Sequence, residues 1–212
     1  TAFPDFHALA RAELSAVLRA WSGLGYNRRA IALIKLARTV VAEHGGVLPQ
    51  DVEKLASLPG IGKATAGSLA AFAFNEPSVF AETNIRRVLI HFFFQDGENV
   101  HDREVLRLVE ATLDRTSPRE WYYALMDYGA MLKKKVPDPN RRSAHYKKQA
   151  PFENSDRKIR GEVLRMLLHG KPLSAKKIAT TLEERSDRID RILAQLHGEG
   201  FIKEDGSGYY IP

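Results

Sequence analysis

The sequence contains no cysteine, which excludes disulfides, thiolate zinc sites, cysteine-held iron–sulfur clusters and cysteine nucleophiles. It also has no apolar run near the roughly 20 residues of a membrane span, and no signal-peptide pattern at its N-terminus. The seven histidines show no metal-ligand spacing, so we predict no metal site. These absences predict a cytoplasmic protein, nucleoid-associated in a bacterium, that acts as a monomer without a membrane partner.

What the chain does contain is an ordinary globular composition with an uneven charge. Hydrophobic residues make up 44% and charged residues 27% of the 212 residues, which is enough to bury a core. The net charge of +6 is concentrated in residues 133–149, while the segments on either side are nearly neutral. A basic strip of this kind favours a polyanion such as nucleic acid, although a solvated linker has the same composition.

Residues 1–132 show the apolar spacing of consecutive helices. One stripe runs from Ala8 to Leu18, and the later ones are separated by glycine and proline. Ser117 and Glu120, with Pro118 between them, have the spacing of a helix capping box. No segment alternates as a strand, so we predict a mostly α protein with a helical core over 1–132.

The rest of the chain is predicted to form two further segments. Residues 133–156 combine charge runs with proline and lack a sustained period, which indicates an extended basic connector. Residues 157–212 show three helical stripes followed by a β-hairpin pattern, which is typical of a small winged helix-turn-helix (α+β) domain with its third helix as the recognition helix. Such domains also mediate protein contacts.

The most specific local pattern is a glycine turn between two helices, Leu58-Pro-Gly-Ile-Gly-Lys-Ala-Thr-Ala66. Gly60 and Gly62 let the backbone approach another surface closely, and Lys63 stands where the next helix presents unpaired N–H groups. With Ile61 and Thr65, they form a candidate phosphate site. The alternative is an ordinary turn between helices.

Four ordered motifs carry a resemblance over residues 3–132. They are Trp21 to Tyr26, the glycine turn, Glu82 to Val88, and Ala124 to Met131. Their order and spacing resemble the helix-hairpin-helix superfamily of DNA glycosylases, nearest to the branch of adenine DNA glycosylase and endonuclease III. The resemblance implies a base excision repair enzyme that turns a damaged or mismatched base out of double-stranded DNA and hydrolyses its N-glycosidic bond.

The resemblance also implies catalytic residues. The family carries a carboxylate beyond the hairpin helix, and here that position is Glu82, with Asn84 in the same motif. A carboxylate against the sugar stabilises the positive charge that develops there; the alternative is an acid that only favours the helix entry. The family position of the Schiff-base lysine holds Ala64, so we predict a monofunctional glycosylase without efficient strand cleavage.

DNA contacts are implied at two further places. The loop from Trp21 to Tyr26 resembles the family loop that enters the minor groove beside the extruded nucleotide, followed here by Asn27 and Arg28. The basic strip would add Lys134, Arg141 and Arg142. For the arginines, phosphate contact and simple solvation remain alternatives.

Two departures from the family pattern bear on the prediction. Relatives place an iron–sulfur cluster where this chain has the basic strip, so no cluster or other cofactor is predicted, beyond a monovalent cation at the hairpin. The family's N-terminal helices, which carry the general-acid glutamate of adenine glycosylases, lie upstream of residue 1, so a fragment is expected. A non-catalytic DNA-binding protein with a degenerate glycosylase core is the alternative function, and a protein-interaction scaffold is a third.

Overall fold

The computed structural model describes residues 2–212, and helices dominate this range. The helices are α1 (Phe6–Ala10), α2 (Leu14–Ala20), α3 (Arg28–His44), α4 (Val52–Ser57), α5 (Lys63–Phe74), α6 (Thr83–Phe93), α7 (Asp102–Thr112), α8 (Pro118–Lys135), a 3₁₀ helix (Pro139–Arg142), α9 (Asp156–Leu167), α10 (Ala175–Leu182) and α11 (Ser186–Gly198). The strands are β1 (Lys203–Asp205) and β2 (Gly208–Tyr210), which pair antiparallel. The predicted mostly α fold with a small C-terminal α+β region is therefore confirmed. None of the helices within the described range has the length and hydropathy needed to cross a membrane.

The chain forms two compact units, whose boundaries differ from the predicted segments. The first unit joins the N-terminal residues through Val47 with Gln149–Pro212, and the second is Leu48–Lys148. In the first, Leu18 and Ile34 share a core with Leu164 and Ile189. The sequence did not reveal this division, because apolar periodicity identifies a buried face but not its partner.

The core of the second unit is aromatic as well as aliphatic. Phe80, Ile85, Leu89, Val105 and Tyr122 are all buried in it. These residues come from α6, α7, α8 and the segment before α6, so the core fixes the chain on both sides of Glu82.

The apolar stripe from Ala8 to Leu18 belongs to two helices rather than one. The chain turns after α1, and the carbonyl of Ala10 accepts a hydrogen bond from Arg38 Nε at 3.0 Å. This contact from α3 satisfies a carbonyl at the helix end, which would otherwise need an i+4 partner. A tertiary contact therefore helps to end α1 where the periodicity continues.

The predicted capping box at the start of α8 is wrong, because Ser117 does not make the expected side-chain hydrogen bond. Pro118 does begin α8, but the Ser117 side chain makes no cap hydrogen bond. Instead, Asp114 Oδ1 accepts hydrogen bonds from the N–H groups of Thr116 and Ser117 at 2.8 and 3.0 Å. The upstream aspartate organises this turn.

The basic strip is only partly the extended connector that the sequence predicted. Helix α8 continues to Lys135, and the 3₁₀ helix follows at Pro139. Asn140 and Ser143 are buried, and the carbonyl of Arg142 accepts a hydrogen bond from Val100 N–H at 2.8 Å. Residues 146–151 carry no helix or strand. The first part of the strip is thus anchored by backbone and side-chain bonds that its polar composition does not reveal.

Candidate functional site

The glycine turn has the geometry expected of a phosphate-binding hairpin. Gly60 has a φ of 78°, a conformation that favours glycine, and Ile61 N–H donates to the carbonyl of Leu58 at 3.1 Å. Gly62 is the N-cap of α5 and supplies no side-chain cap. Gly62, Lys63 and Thr65 are exposed, and Ile61 is half-buried. The first-turn amides of α5 therefore face solvent with the positive end of the helix dipole behind them.

The body of α5 holds the segment that leads to Glu82. Ser78 Oγ donates to the carbonyl of Gly67 at 2.6 Å. A Cβ on Gly67 would lie 2.9 Å from Phe80 Cβ, so only glycine permits this approach. The hairpin helix and the chain two residues before Glu82 are thus in direct contact.

Tyr122 of α8 holds the same segment from the other side. Its hydroxyl donates to the carbonyl of Ser78 at 2.6 Å and accepts from Phe80 N–H at 3.4 Å. Its ring stacks on Phe80 with centroids 4.1 Å apart. Burial raises the pKa of Tyr122 to about 12, so the hydroxyl keeps its proton and remains a donor.

Glu82 is the N-cap of α6 and uses one carboxylate oxygen for this role. Its Oε1 accepts hydrogen bonds from Asn84 N–H at 2.6 Å and Ile85 N–H at 3.1 Å. Across the described part of the chain, Oε2 receives no hydrogen bond. The two interpretations of Glu82 are therefore compatible: Oε1 caps the helix, while Oε2 is available for another partner.

Asn84, the second predicted catalytic residue, has a structural role. Its Oδ1 accepts a hydrogen bond from Arg87. Its backbone lies against α8, where a Cβ on Gly129 would come within 2.4 Å of the Asn84 carbonyl oxygen. The Asn84 side-chain amide therefore helps to position the Arg87 guanidinium.

Arg87, which is not among the predicted site residues, is the centre of this network. It is 2% exposed and donates to Asp138 Oδ1 at 2.9 Å and to the carbonyl of Gly129 at 3.0 Å. Burial raises the pKa of Asp138, but the hydrogen bonds from Arg87 and from Asn140 N–H outweigh it, and the pKa is lowered. The sequence feature that could have indicated this buried role is the position of Arg87 beside the apolar residues Ile85 and Val88.

The predicted cations of the basic strip have different surroundings. Lys134 and Arg141 are exposed. Arg142 is half-buried and donates to the carbonyl of Gln95, so it fastens the chain after the 3₁₀ helix. Lys134 and Arg141 remain the candidates for phosphate contact.

The loop from Trp21 to Tyr26 lies in the first unit and is tightly turned. Trp21 Nε1 donates to the carbonyl of Gly25 at 2.8 Å. Tyr26 has a φ of 51° and is 68% exposed, with the Arg29 guanidinium 4.9 Å from its ring centroid. Asn27 is the half-buried N-cap of α3. The loop therefore presents a tyrosine ring to solvent.

Arg28, predicted to contact DNA, is exposed and forms an ion pair. Its guanidinium donates to both carboxylate oxygens of Glu199, at 2.6 and 3.0 Å. Arg160 donates to the same carboxylate at 2.5 Å. Hydrogen bonding from Arg28 lowers the pKa of Glu199, with Arg160 adding to the effect against desolvation. Arg28 and Arg160 thus share one carboxylate, which offsets only part of their combined charge.

No cluster of three or more metal-ligating side chains occurs in the range 2–212. The candidate chemistry of the second unit is that of the Glu82 carboxylate, which follows a segment packed on the hairpin helix α5. The hairpin amides are suited to an anion and the carboxylate to a developing cation.

The curated relatives are adenine DNA glycosylases. The chain is 34% identical over 134 residues to the adenine DNA glycosylase of Buchnera aphidicola subsp. Baizongia pistaciae, covering 61% of this chain and 37% of that protein. It is 35% identical over 133 residues to that of Mycobacterium tuberculosis, covering 61% and 44%. It is 29% identical over 226 residues to that of Mycolicibacterium smegmatis, covering 98% and 77%. The chain thus spans less than half the length of the first two relatives.

A solved structure titled as a thermostable thymine-DNA glycosylase has the same fold over part of the chain. The TM-score is 0.52 at 24% identity, covering 60% of each chain. Residues 1–113, more than half of this chain, match the family described as HhH-GPD superfamily base excision DNA repair protein. This match covers the loop, the hairpin and Glu82, and the chain belongs to the HhH-GPD superfamily.

Proposed function

We propose that the protein is a monofunctional DNA glycosylase of base excision repair, which hydrolyses the N-glycosidic bond of a damaged or mismatched base in double-stranded DNA. The observation that carries the proposal is the Glu82 carboxylate, which caps α6 through Oε1 and leaves Oε2 free. It follows a segment packed on the helix of the glycine hairpin. Membership of the HhH-GPD superfamily supports the same chemistry.

The proposed reaction develops positive charge on the deoxyribose as the base departs. A carboxylate beside the sugar stabilises this charge, and the fixed Oε1 avoids the cost of orienting the group during the reaction. Water then forms a bond to C1′ of the sugar in place of the broken C1′–N bond, and its lost proton goes to the departed base, so that the products are the free base and an abasic site. Because Ala64 has no amine, the enzyme forms no Schiff base and leaves an abasic site rather than a cleaved strand.

The proposed DNA contacts are made by exposed groups, some in the first unit and some in the second. The first-turn amides of α5 and Lys63 bind a backbone phosphate, and Lys134 and Arg141 add charge. Tyr26, with its exposed ring, fills space left by an extruded nucleotide. No cofactor enters this proposal beyond a monovalent cation at the hairpin, and the protein is expected to act as a cytoplasmic monomer.

Adenine is the first substrate to test, because the curated relatives are named adenine DNA glycosylases. The purified full-length protein is incubated with labelled duplexes that carry mismatched adenine, uracil, mismatched thymine or an oxidised base. Abasic product, revealed by strand cleavage only after hot alkali, supports the proposal. Binding without product on any duplex would instead support the non-catalytic DNA-binding alternative.

A further inference from the structure

The first unit contains a groove of which the proposed function uses only one lining residue, Tyr26. Its volume is about 810 Å³. The turn from Ser22 to Arg29 forms one wall, and Phe152 with residues 157–168 forms the other. Every lining residue belongs to the first unit, so the groove joins the loop before α3 to α9 of the C-terminal region.

The groove carries an excess of positive charge. Its ionisable lining residues are Glu162 and six cations, Arg28, Arg29, Arg157, Lys158, Arg160 and Arg165. Glu199 pairs with two of the cations, and Glu153 pairs with Lys158 at 2.6 Å.

The remaining three cations, Arg29, Arg157 and Arg165, are exposed and form no ion pair among the residues that the structure describes. Their charge favours a polyanion as the occupant.

Aromatic rings line the groove beside these arginines. Tyr26 is 68% and Phe152 is 58% exposed. The Arg29 guanidinium lies 4.9 Å from the Tyr26 ring centroid, and that of Arg157 lies 6.0 Å from the Phe152 centroid. Exposed rings interleaved with arginine bind unstacked nucleotides, because every base has a face that stacks and every phosphate attracts the cation.

The predicted recognition helix, α11, lacks this charge. Its ionisable residues are two aspartates and two arginines plus His197. Arg188 is already paired with Asp156 and Glu184. Only Arg191 remains as an exposed arginine outside the ion pairs of the described chain. In contrast, α9 carries four basic and two acidic side chains.

We infer that the groove is a second nucleic-acid site, in which Arg157 and Arg165 of α9 hold the phosphates of one DNA strand and Phe152 stacks on an unpaired base. This inference rests on the proposed function and extends it, since it assigns the C-terminal contact with DNA to α9 rather than α11. The occupant is a strand with at least one unstacked nucleotide, as a duplex has beside an abasic position.

The charge test measures the affinity for a fluorescent duplex with one stable abasic-site analogue, by anisotropy over a range of salt concentrations. In Arg157→Gln/Arg165→Gln, loss of two phosphate contacts lowers the slope of log affinity against log salt by about 1.8. The variant Arg157→Lys/Arg165→Lys retains both positive charges and therefore keeps most of the slope of log affinity against log salt. The matched control Arg191→Gln binds like the wild type.

The stacking test compares two exposed phenylalanines. Phe152→Ala weakens binding to the abasic duplex by roughly five-fold or more, because stacking of one base on an aromatic ring is lost. Phe93→Ala removes a ring of similar exposure, 55%, from the second unit and leaves the affinity unchanged. Far-UV circular dichroism with thermal melting checks that each variant folds.

The outcomes separate this inference from the proposed function. If the wild type excises a base and binds DNA, but the α9 and Phe152 variants keep its slope and affinity, the groove inference alone is overturned. A loss of slope in Arg191→Gln, with none in the α9 double variant, places the DNA on α11. A wild type with no salt-dependent affinity for DNA overturns both proposals.

Discussion

Replacing Glu82 with glutamine separates its two roles, because the amide oxygen of glutamine still accepts the two N–H groups that Oε1 now binds. Removing the cap altogether, as in Glu82→Ala, costs about 0.5–2 kcal/mol of unfolding free energy. Glutamine loses only the charge at the helix N-terminus, worth about 0.3–1 kcal/mol. For a protein of this size, that corresponds to a melting temperature lower by about 1–4 °C.

The expected loss of activity is much larger. A full carboxylate charge about 4 Å from a developing sugar cation, at an effective dielectric constant of about 20, contributes about 4 kcal/mol. Because each 1.36 kcal/mol changes a rate about ten-fold, we expect Glu82→Gln to lower the excision rate by about 10³-fold. The measurement is the single-turnover excision rate on the duplex from which the wild type removes its base fastest. Thermal melting of the same samples gives the change in stability.

Glu104 provides the matched control. Its Oε2 accepts the N–H of His101 at 2.9 Å in a capping box at α7. Glu104→Gln therefore removes a comparable charge at a helix N-terminus and should leave the excision rate unchanged. A folded Glu82→Gln protein that excises within ten-fold of the wild-type rate would refute the catalytic role of this carboxylate.

Three further predictions concern the network around α6. Arg87→Met leaves Asp138 partly buried without its cation and should lower the unfolding free energy by about 3–5 kcal/mol, measured by urea denaturation; a loss below about 1 kcal/mol would contradict the buried pair. Because the folded-state pKa of Asp138 is lowered from its ordinary 3.8, the carboxylate stabilises the fold above that pH. Its contribution should disappear as the pH falls through the folded-state value, so that acid melts of Asp138→Asn and wild type converge. Gly129→Ala places a methyl group against the Asn84 carbonyl oxygen and should lower both melting temperature and excision rate, whereas Gly198→Ala, which meets open space in α11, should do neither.

The hairpin illustrates what local sequence can predict. Gly60 takes a positive φ and Gly62 begins α5 without a side-chain cap, as the glycine spacing predicted. Such features depend on the conformational range of each residue and on its near neighbours. The same reasoning placed the start of a helix at Lys63 and the start of α8 at Pro118.

Arg28 illustrates the opposite case. The sequence left phosphate contact and solvation open, and the structure pairs it with Glu199, 171 residues away. The position of a partner so distant in the chain depends on how the start of α3 meets the end of α11 in the first unit. No local pattern records that packing.

The sequence alone therefore determined the helical character and the hairpin, because these depend on periodicity and residue type. The candidate carboxylate was indicated by the resemblance of the ordered motifs to the glycosylase family. Tertiary structure alone decided which ends of the chain share a core, that Arg87 holds α6 through Asp138, and that Arg28 pairs with Glu199. It also decided that, within residues 2–212, α9 carries two exposed arginines outside the ion pairs where α11 carries one. The physical reason is that the effect of a charge depends on its neighbours in space, and only the folded chain brings residues 51 or 171 positions apart into contact.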